Sequence, residues 1–445
     1  TESEEESEKG TGLVEEDSPE INIDGDTTTE ADGIHDTKQS SQVKIPSDAD
    51  GSTEHNPIGA SDGVSTRLPS IFKRLQESPE PETKIDTGAL ASNLREGFES
   101  LGVEVYPPNP SSITIGPRKV GVNVLPKQGQ KVEGILKSLD SLSVHIQAHG
   151  NIVGKPIPSE GAVRIEIPHD NPQDIYLREG LEALVGKVSK PLMIPLGVDT
   201  ERKHRGLSLP EERHVLIAGA TGSGKSNFLA TVISTLAVIN DPSEVKITLL
   251  DPKGIDFGKF QTLPHVETYR DTANGGVQKL LELLEDELPE RREALRNVGA
   301  SSVAELNENA NELDVKPIPY HVVVIDEYAD LIMSTEDQDD FESAVTRLAQ
   351  VGRALGFIIL LATQRPSADI VSGKIKANFP CRISFRLPSN TDSRVILDKT
   401  GAEDLQGAGD MIALTQSGDE YHLQAYRLIL KDTQTILELA ENNNL

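Results

Sequence analysis

The sequence holds one cysteine, no tryptophan and three methionines, and aromatic residues make up only 4% of its 445 positions. A single thiol, Cys381, excludes a disulfide framework and any zinc site built on cysteines. Long apolar runs are missing too. Stretches such as 357–362 fall far short of the ~20 residues a membrane-spanning helix needs. No apolar signal-peptide core follows the acidic start. The expectation is a cytoplasmic protein with no membrane insertion. Positive charge is scarce: 43 Lys and Arg against 72 Asp and Glu leave a formal net charge of −29. Nucleic-acid binders usually carry a basic footprint, so this balance counts against that class.

The position of the negative charge changes that inference. Residues 1–66 carry a net of −15 and no aromatic side chain, and the remaining 379 carry a net of −14. A segment so rich in Ser, Thr, Gly, Asp and Glu cannot bury enough apolar surface to offset the entropy of ordering. It is expected to be a disordered acidic tail. The charge of the whole chain therefore says little about its folded part.

Order is expected to begin with a short helix near 68–75, inside a linker over 67–87 that Pro79 and Pro81 break up. Residues 88–190 read as a small α+β domain. Leu90, Leu94, Phe98 and Leu101 hold helical spacing. Short strands are expected at 103–106, 112–115, 120–125, 143–148 and 163–167, with a helix over 132–139. In that reading His145 and His149 face a sheet surface rather than a metal. From about residue 191 to 430 the pattern changes. HVLIAG (214–219), KITLLD (246–251), HVVVID (321–326), FIILLAT (357–363) and CRISFRL (381–387) are apolar runs, as buried parallel strands should be. Helical segments separate most of them: 227–239, 276–298 and 341–355. Alternating strands and helices predict an α/β fold with a mostly parallel sheet covered on both faces. Residues 431–445 remain as a C-terminal tail.

The run Gly219-Ala220-Thr221-Gly222-Ser223-Gly224-Lys225-Ser226 fits G-x-x-x-x-G-K-[ST]. Glycines let the backbone wrap phosphates so that successive N–H groups point at them, and the following helix start adds partial positive charge. A Gly-rich turn could carry similar letters, but here a buried strand precedes it and a helix follows. Lys225 would reach the β- and γ-phosphates of ATP, and Ser226 would bind Mg²⁺. Asp326 and Glu327 end the strand HVVVID. Asp326 is placed to hold Mg²⁺ through water, and Glu327 to polarise the attacking water as general base. Thr363-Gln364-Arg365 ends the next strand, at the carboxyl edge where ligands bind in such folds. Gln364 could sense the γ-phosphate or orient the water; a loop amide satisfied by its neighbours would occupy the same position. A further strand between the two motifs, with a catalytic glutamate, is the pattern of ring ATPases and RecA-like motors.

At this point the chain resembles the FtsK/SpoIIIE family of DNA translocases, within the wider FtsK–HerA group. The residues that carry the resemblance are GATGSGKS (219–226), LLDPKGIDF (249–257), VVVIDEYADL (322–331), the run from RLAQVGRALG to NFPCRISF (347–385) and DSRVILDKTGAEDLQGAGDMI (392–412). Upstream, GVEVYPPNPSSITIGP, PKQGQKV, RIEIP (164–168) and YLREGL (176–181) look like the family's alpha subdomain. The resemblance implies a homo-oligomeric, hexameric ring with double-stranded DNA through its pore, driven by ATP hydrolysis at subunit interfaces. An arginine from a neighbour would complete each site, with Arg353 the first candidate and Arg347 the second. A pore loop would supply DNA contacts from Arg365, Lys374 and Lys376, with Arg382 and Arg386 further on. A few cations per subunit suffice, because the ring repeats them.

The resemblance has departures. Membrane-anchored family members carry N-terminal transmembrane helices, and many end in a winged-helix domain that reads DNA orientation. Neither is expected here: no apolar run is long enough to span a membrane, and only about 30 residues follow the resembling segment 392–412. An unidentified loading partner fits that expectation. The alternatives are a related ATPase driving protein secretion and a nucleotide-gated assembly factor. Intact Lys225, Asp326, Glu327 and Gln364 count against the second.

Overall fold

The computed structural model describes residues 68–80, 85–169, 171–185 and 190–442. The expected disordered tail, 1–66, lies outside them.

The smaller unit is a four-stranded antiparallel sheet. Its strands are β1 (Thr114–Ile115), β2 (Lys119–Val124), β3 (Val153–Ile157) and β4 (Ala162–Pro168), in the order β1-β2-β4-β3. Helices α1 (Thr87–Ser100) and α2 (Val132–His145) accompany it. Asp86 starts α1 by accepting the N–H groups of Gly88 and Ala89 at 2.9 and 3.0 Å, a cap that satisfies two orphan donors. Leu94 and Phe98, four apart, are fully buried against Val122, Val163 and Leu142. Two expectations fail in this unit. The strand at 143–148 does not form, because Ile135, Leu139 and Leu142 continue one helical stripe and carry α2 on to His145. His145 therefore sits exposed on a helix, not on a sheet. Residues 103–106 make only an isolated bridge, from Val105 to Pro126.

The larger unit has a ten-stranded sheet. After α3 (Leu177–Leu184) come β5 (Met193–Val198), β6 (His204–Ser208) and β7 (Val215–Ala218). Helix α4 (Lys225–Ile239) follows, then β8 (Val245–Leu250), β9 (Val266–Arg270) and β10 (Tyr320–Ile325). Helix α5 (Gln338–Gly352), β11 (Phe357–Thr363), β12 (Cys381–Phe385), β13 (Asp410–Leu414), β14 (Glu420–Ala425) and α6 (Leu430–Glu441) complete it. The strand order is β6-β5-β14-β13-β12-β7-β11-β10-β8-β9. From β12 to β9 every pairing is parallel. From β12 to β6 every pairing is antiparallel.

The five strands expected from apolar runs are five neighbours of the parallel half: β12, β7, β11, β10 and β8. Strands β7, β10 and β11 are buried at every position. Helix α4 is buried almost throughout, since it packs against both β5 and α6. The helix expected over 276–298 is present but not continuous. A π turn at Leu283–Glu287 interrupts it just before Pro289, which lacks the N–H needed to continue a regular ladder.

Residues 68–75, expected in the linker, and α6, expected mostly as C-terminal tail, both pack into the motor core. Leu68, Ile71, Phe72 and Leu75 join the same buried core as α6, so 68–75 is not free linker. Burial of each such side chain stabilises by ~1.5–3 kcal/mol, enough to hold a short segment down. Arg74 pairs with Glu438 at 3.3 Å, and the Gln76 N–H donates to Asp432 at 2.9 Å. Leu177, Leu181 and Leu184 of α3, expected in the smaller domain, also belong to the motor core. No helix among the described residues is long and apolar enough to cross a membrane.

Candidate nucleotide site

Strand β7 ends in the loop 219–224 at the carboxyl edge of the sheet. Its first amides are anchored sideways: Gly219 donates to the Thr363 carbonyl at 3.3 Å and Ala220 to that of Arg386 at 2.9 Å. Gly222 and Gly224 have φ of 77° and 116°, the left-handed region where a side chain is strained. A Cβ on Gly224 would also lie 2.7 Å from the Gly409 nitrogen. The buried Ser223 hydroxyl oxygen has no hydrogen-bond partner. An unsatisfied polar atom in a cradle that only glycine permits marks a place where a ligand supplies the missing bond.

Lys225 opens α4 and is buried. Its ammonium donates to the Asp326 carbonyl at 2.6 Å and to its carboxylate at 2.8 Å. Burial pushes the Asp326 carboxyl above the usual range. Lys225 opposes that shift, while Asp256 and Asp251 add to it by like-charge repulsion. Asp251 itself is committed to shaping the loop after β8, accepting the N–H groups of Gly254, Asp256 and Phe257.

Glu327 is buried beside this pair. Thr363 Oγ1 donates to it at 2.7 Å and the Gln364 N–H at 3.1 Å. Lys253 Nζ lies 3.5 Å from the Glu327 carboxylate and 3.6 Å from Asp330. Thr221 Oγ1 donates to the Gln364 side-chain oxygen at 2.8 Å, tying the tip of the loop to the end of β11. Lys225, Asp326, Glu327 and Gln364 thus come from three adjacent parallel strand ends and meet where a terminal phosphate would lie. Ser226 follows Lys225 in the first turn of α4. Ser226 Oγ and the Asp326 carboxylate are hard oxygen donors, the set a Mg²⁺ ion takes.

Two residues of this constellation, Lys253 and Thr363, had no expected role. Lys253 lies three positions past the end of β8, and Thr363 closes β11. Both are carboxyl-edge positions, which is the one signal that could have picked them out.

Other expected residues lie elsewhere. Arg353 follows α5 and lies beside the start of β11, at the amino edge, so the fold places it away from this chain's own loop. It shares a recess of about 320 Å³ with Arg213. Arg213 has φ of 69° and a buried Nε without a hydrogen-bond partner. Burial and the nearby Arg353 charge lower its pKa. Arg347 is exposed on α5. Among the described residues no carboxylate pairs with Arg213, Arg347 or Arg353. Arg365 is exposed just past Gln364, its guanidinium 3.6 Å from the Met333 sulfur. Lys374 and Lys376 are ion-paired, with Glu342 at 3.6 Å and Asp398 at 2.7 Å. Arg382 shares Asp398 with Lys376.

Residues 182–368 match the FtsK/SpoIIIE family model. The DNA translocase FtsK of Streptococcus pneumoniae is 33% identical over 383 residues, which is 83% of this chain and 49% of that protein. The DNA translocase FtsK of Lactiplantibacillus plantarum is 34% identical over 387 residues, covering 84% of this chain and 48% of that one. The chain thus spans about half the length of these relatives. Among solved structures, the pCW3 conjugation coupling protein TcpA, in its monomer form with ATPγS, aligns with a TM-score of 0.52 at 22% identity. It covers 78% of this chain and 99% of its own. The cytoplasmic domain of the Thermomonospora curvata type VII secretion ATPase EccC gives a TM-score of 0.52 at 24% identity, over 56% of this chain and 31% of that one. At such identities these two structures speak for the fold.

Proposed function

The chain belongs to the FtsK/SpoIIIE family, and from that premise we propose that it hydrolyses ATP to move along double-stranded DNA. The observation that carries this reading is the Glu327 carboxylate, held by Thr363 Oγ1 and the Gln364 N–H beside the Lys225–Asp326 pair. It is oriented but keeps lone pairs to accept a proton from water, as a general base must. The loop N–H groups of 219–226 other than those of Gly219, Ala220 and Ser223, which are bonded within the protein, cradle the phosphates. Lys225 would exchange Asp326 for phosphate oxygens, and Ser226 and Asp326 would be the residues to hold Mg²⁺, which would supply neutralisation of the phosphate charge. Gln364 reports the γ-phosphate through its contact with Thr221.

We further propose a ring, hexameric as in the family, with nucleotide between subunits. Arg353 supports this: it lies at the amino edge of the sheet, away from its own loop, which suits it to serve a neighbour's. Arg365, Lys374 and Lys376 follow β11 and are the proposed DNA contacts, acting on phosphates without regard to sequence.

The test is the ATPase rate with and without long double-stranded DNA, beside a secreted-protein candidate. Stimulation by DNA alone is expected. Stimulation by the protein candidate and not by DNA would overturn the substrate assignment.

A further inference from the structure

Two of the residues proposed to meet DNA lead to one short helix. This helix, Tyr328–Met333, begins directly after the proposed general base: Glu327 is its N-cap residue. At its far end the Arg365 guanidinium lies 3.6 Å from the Met333 sulfur. At its near end the Tyr328 ring stacks on Phe341 of α5, with ring centres 6.2 Å apart. The next residue of α5, Glu342, pairs with Lys374 at 3.6 Å.

The charge of Glu342 is thinly compensated. Its side chain is only 10% exposed, and Lys374 is its one ion-pair partner among the described residues. That lysine is 65% exposed, on the helix Gly373–Asn378 that buried Ile375 anchors. A carboxylate so far out of water needs a compensating charge or hydrogen-bond donors. Two hydroxyls nearby are uncommitted: the Tyr328 and Thr346 oxygens are buried with no hydrogen-bond partner. Thr346 lies one turn along α5 from Glu342, on the same helix face. Burial first, and then the Glu342 charge, raise the Tyr328 pKa, so its hydroxyl keeps its proton and stays a donor.

Lys374 has two claimants. DNA phosphates draw it outward and away from Glu342, and the buried carboxylate then turns to an uncommitted hydroxyl. Thr346 shares a helix with Glu342, so a bond to it moves nothing else. A bond to Tyr328 pulls on the first residue of the helix that Glu327 caps. The orientation of a general base toward its water sets how well it works, so a small pull there changes the rate.

We infer that Glu342 is a positioning residue that couples DNA contact at Lys374 to the Glu327 carboxylate through Tyr328. This rests on the proposed DNA contacts. Phosphate takes Lys374, Glu342 takes the Tyr328 hydroxyl, and Glu327 is reset for turnover. Arg365, at Met333, bears on the other end of the same helix.

The test measures ATPase rates of the full chain without DNA and with saturating random duplex, and duplex affinity by fluorescence anisotropy. Glu342→Gln is expected to keep the DNA-free rate and lose most of the stimulation. It should also tighten duplex binding by up to about fivefold, the worth of one partly exposed ion pair that no longer competes. Tyr328→Phe, nearly isosteric, is expected to lose stimulation at wild-type duplex affinity. Thr346→Val should behave as wild type. A purely structural role for Glu342 would lower both rates by the same factor in Glu342→Gln, and that result would overturn the inference. So would wild-type stimulation in Glu342→Gln or in Tyr328→Phe, or its loss in Thr346→Val. Duplex that binds the wild-type chain without stimulating it would overturn the coupling and leave the DNA contacts standing. If duplex does not bind the wild-type chain at all, the DNA reading falls, and the coupling with it.

Discussion

Lys225 donates to both the carbonyl and the carboxylate of Asp326, at 2.6 and 2.8 Å, so the residue meant for phosphate is held by the residue meant for metal. Each compensates the other's charge in a buried place, and a bound nucleotide is expected to separate them.

Lys225→Ala should therefore do two things. It removes the cation that phosphate needs, abolishing productive ATP binding. It also strands a buried carboxylate, at a cost of about 3 kcal/mol in stability without nucleotide. Thermal unfolding should show that loss, and Lys225→Ala/Asp326→Asn should recover most of it. A single variant as stable as wild type would argue against the pair.

Glu327→Gln should bind ATP and lose turnover, because an amide cannot accept the proton of water. Thr363→Val leaves the carboxylate in place but removes one of the three groups around it, beside the Gln364 N–H and Lys253. It should lower kcat about tenfold with little change in KM, a loss of transition-state interaction alone. Steady-state ATPase kinetics distinguish these outcomes. Glu327→Gln and Lys225→Ala both hydrolysing at the wild-type rate would displace the active site.

A mixture of Arg353→Ala with Glu327→Gln subunits should regain activity at interfaces that pair two intact halves, while each variant alone stays inactive. Coupled ATPase assays on mixed samples, alongside sizing of each variant, read this directly. A dead mixture of well-formed rings would remove Arg353 from the role.

His214 precedes β7. Its Nδ1 accepts the Ile359 N–H at 3.0 Å and its Nε2 meets the Ala349 carbonyl at 2.7 Å, a pattern that needs the neutral ring. Burial pushes its pKa from 6.5 down to about 4, against the pull of the Ala349 carbonyl. The unfolded chain then takes up the proton first. Stability is full above about pH 6.5 and falls by about 3 kcal/mol as pH drops toward 4. Urea unfolding across that range should show this slope, and His214→Gln should flatten it.

Lys374 and Lys376 differ in how firmly they are held. Lys374 is 65% exposed at 3.6 Å from Glu342, while Lys376 is 23% exposed and shares Asp398 with Arg382. Lys374→Ala should reduce the salt slope of duplex binding by about 1 and weaken all sequences alike, with a smaller effect from Lys376→Ala. Fluorescence anisotropy across salt concentrations measures both. Deleting 1–66, with its net of −15, should leave affinity at low salt level or raised.

The sequence alone determined what short-range chemistry can specify. Apolar runs named the parallel strands β7, β8, β10, β11 and β12, because a strand covered on both faces is apolar at most of its positions. Motif spacing placed Lys225, Asp326, Glu327 and Gln364 at strand ends. The edge and antiparallel strands escaped notice: VETYR and HRGLS are partly exposed and carry no continuous apolar run. Tertiary structure alone decided the rest, because those contacts join residues with no local relation. Only folding brings Lys253 to Glu327, Arg213 to Arg353, and Leu68 and Ile71 into the motor core. The same holds for Arg118 and Arg427, more than 300 positions apart, which meet on Asp174 because two domains close on one loop. Burial and charge pairing reward such contacts only after the chain has closed, and nothing in the neighbouring residues announces them beforehand.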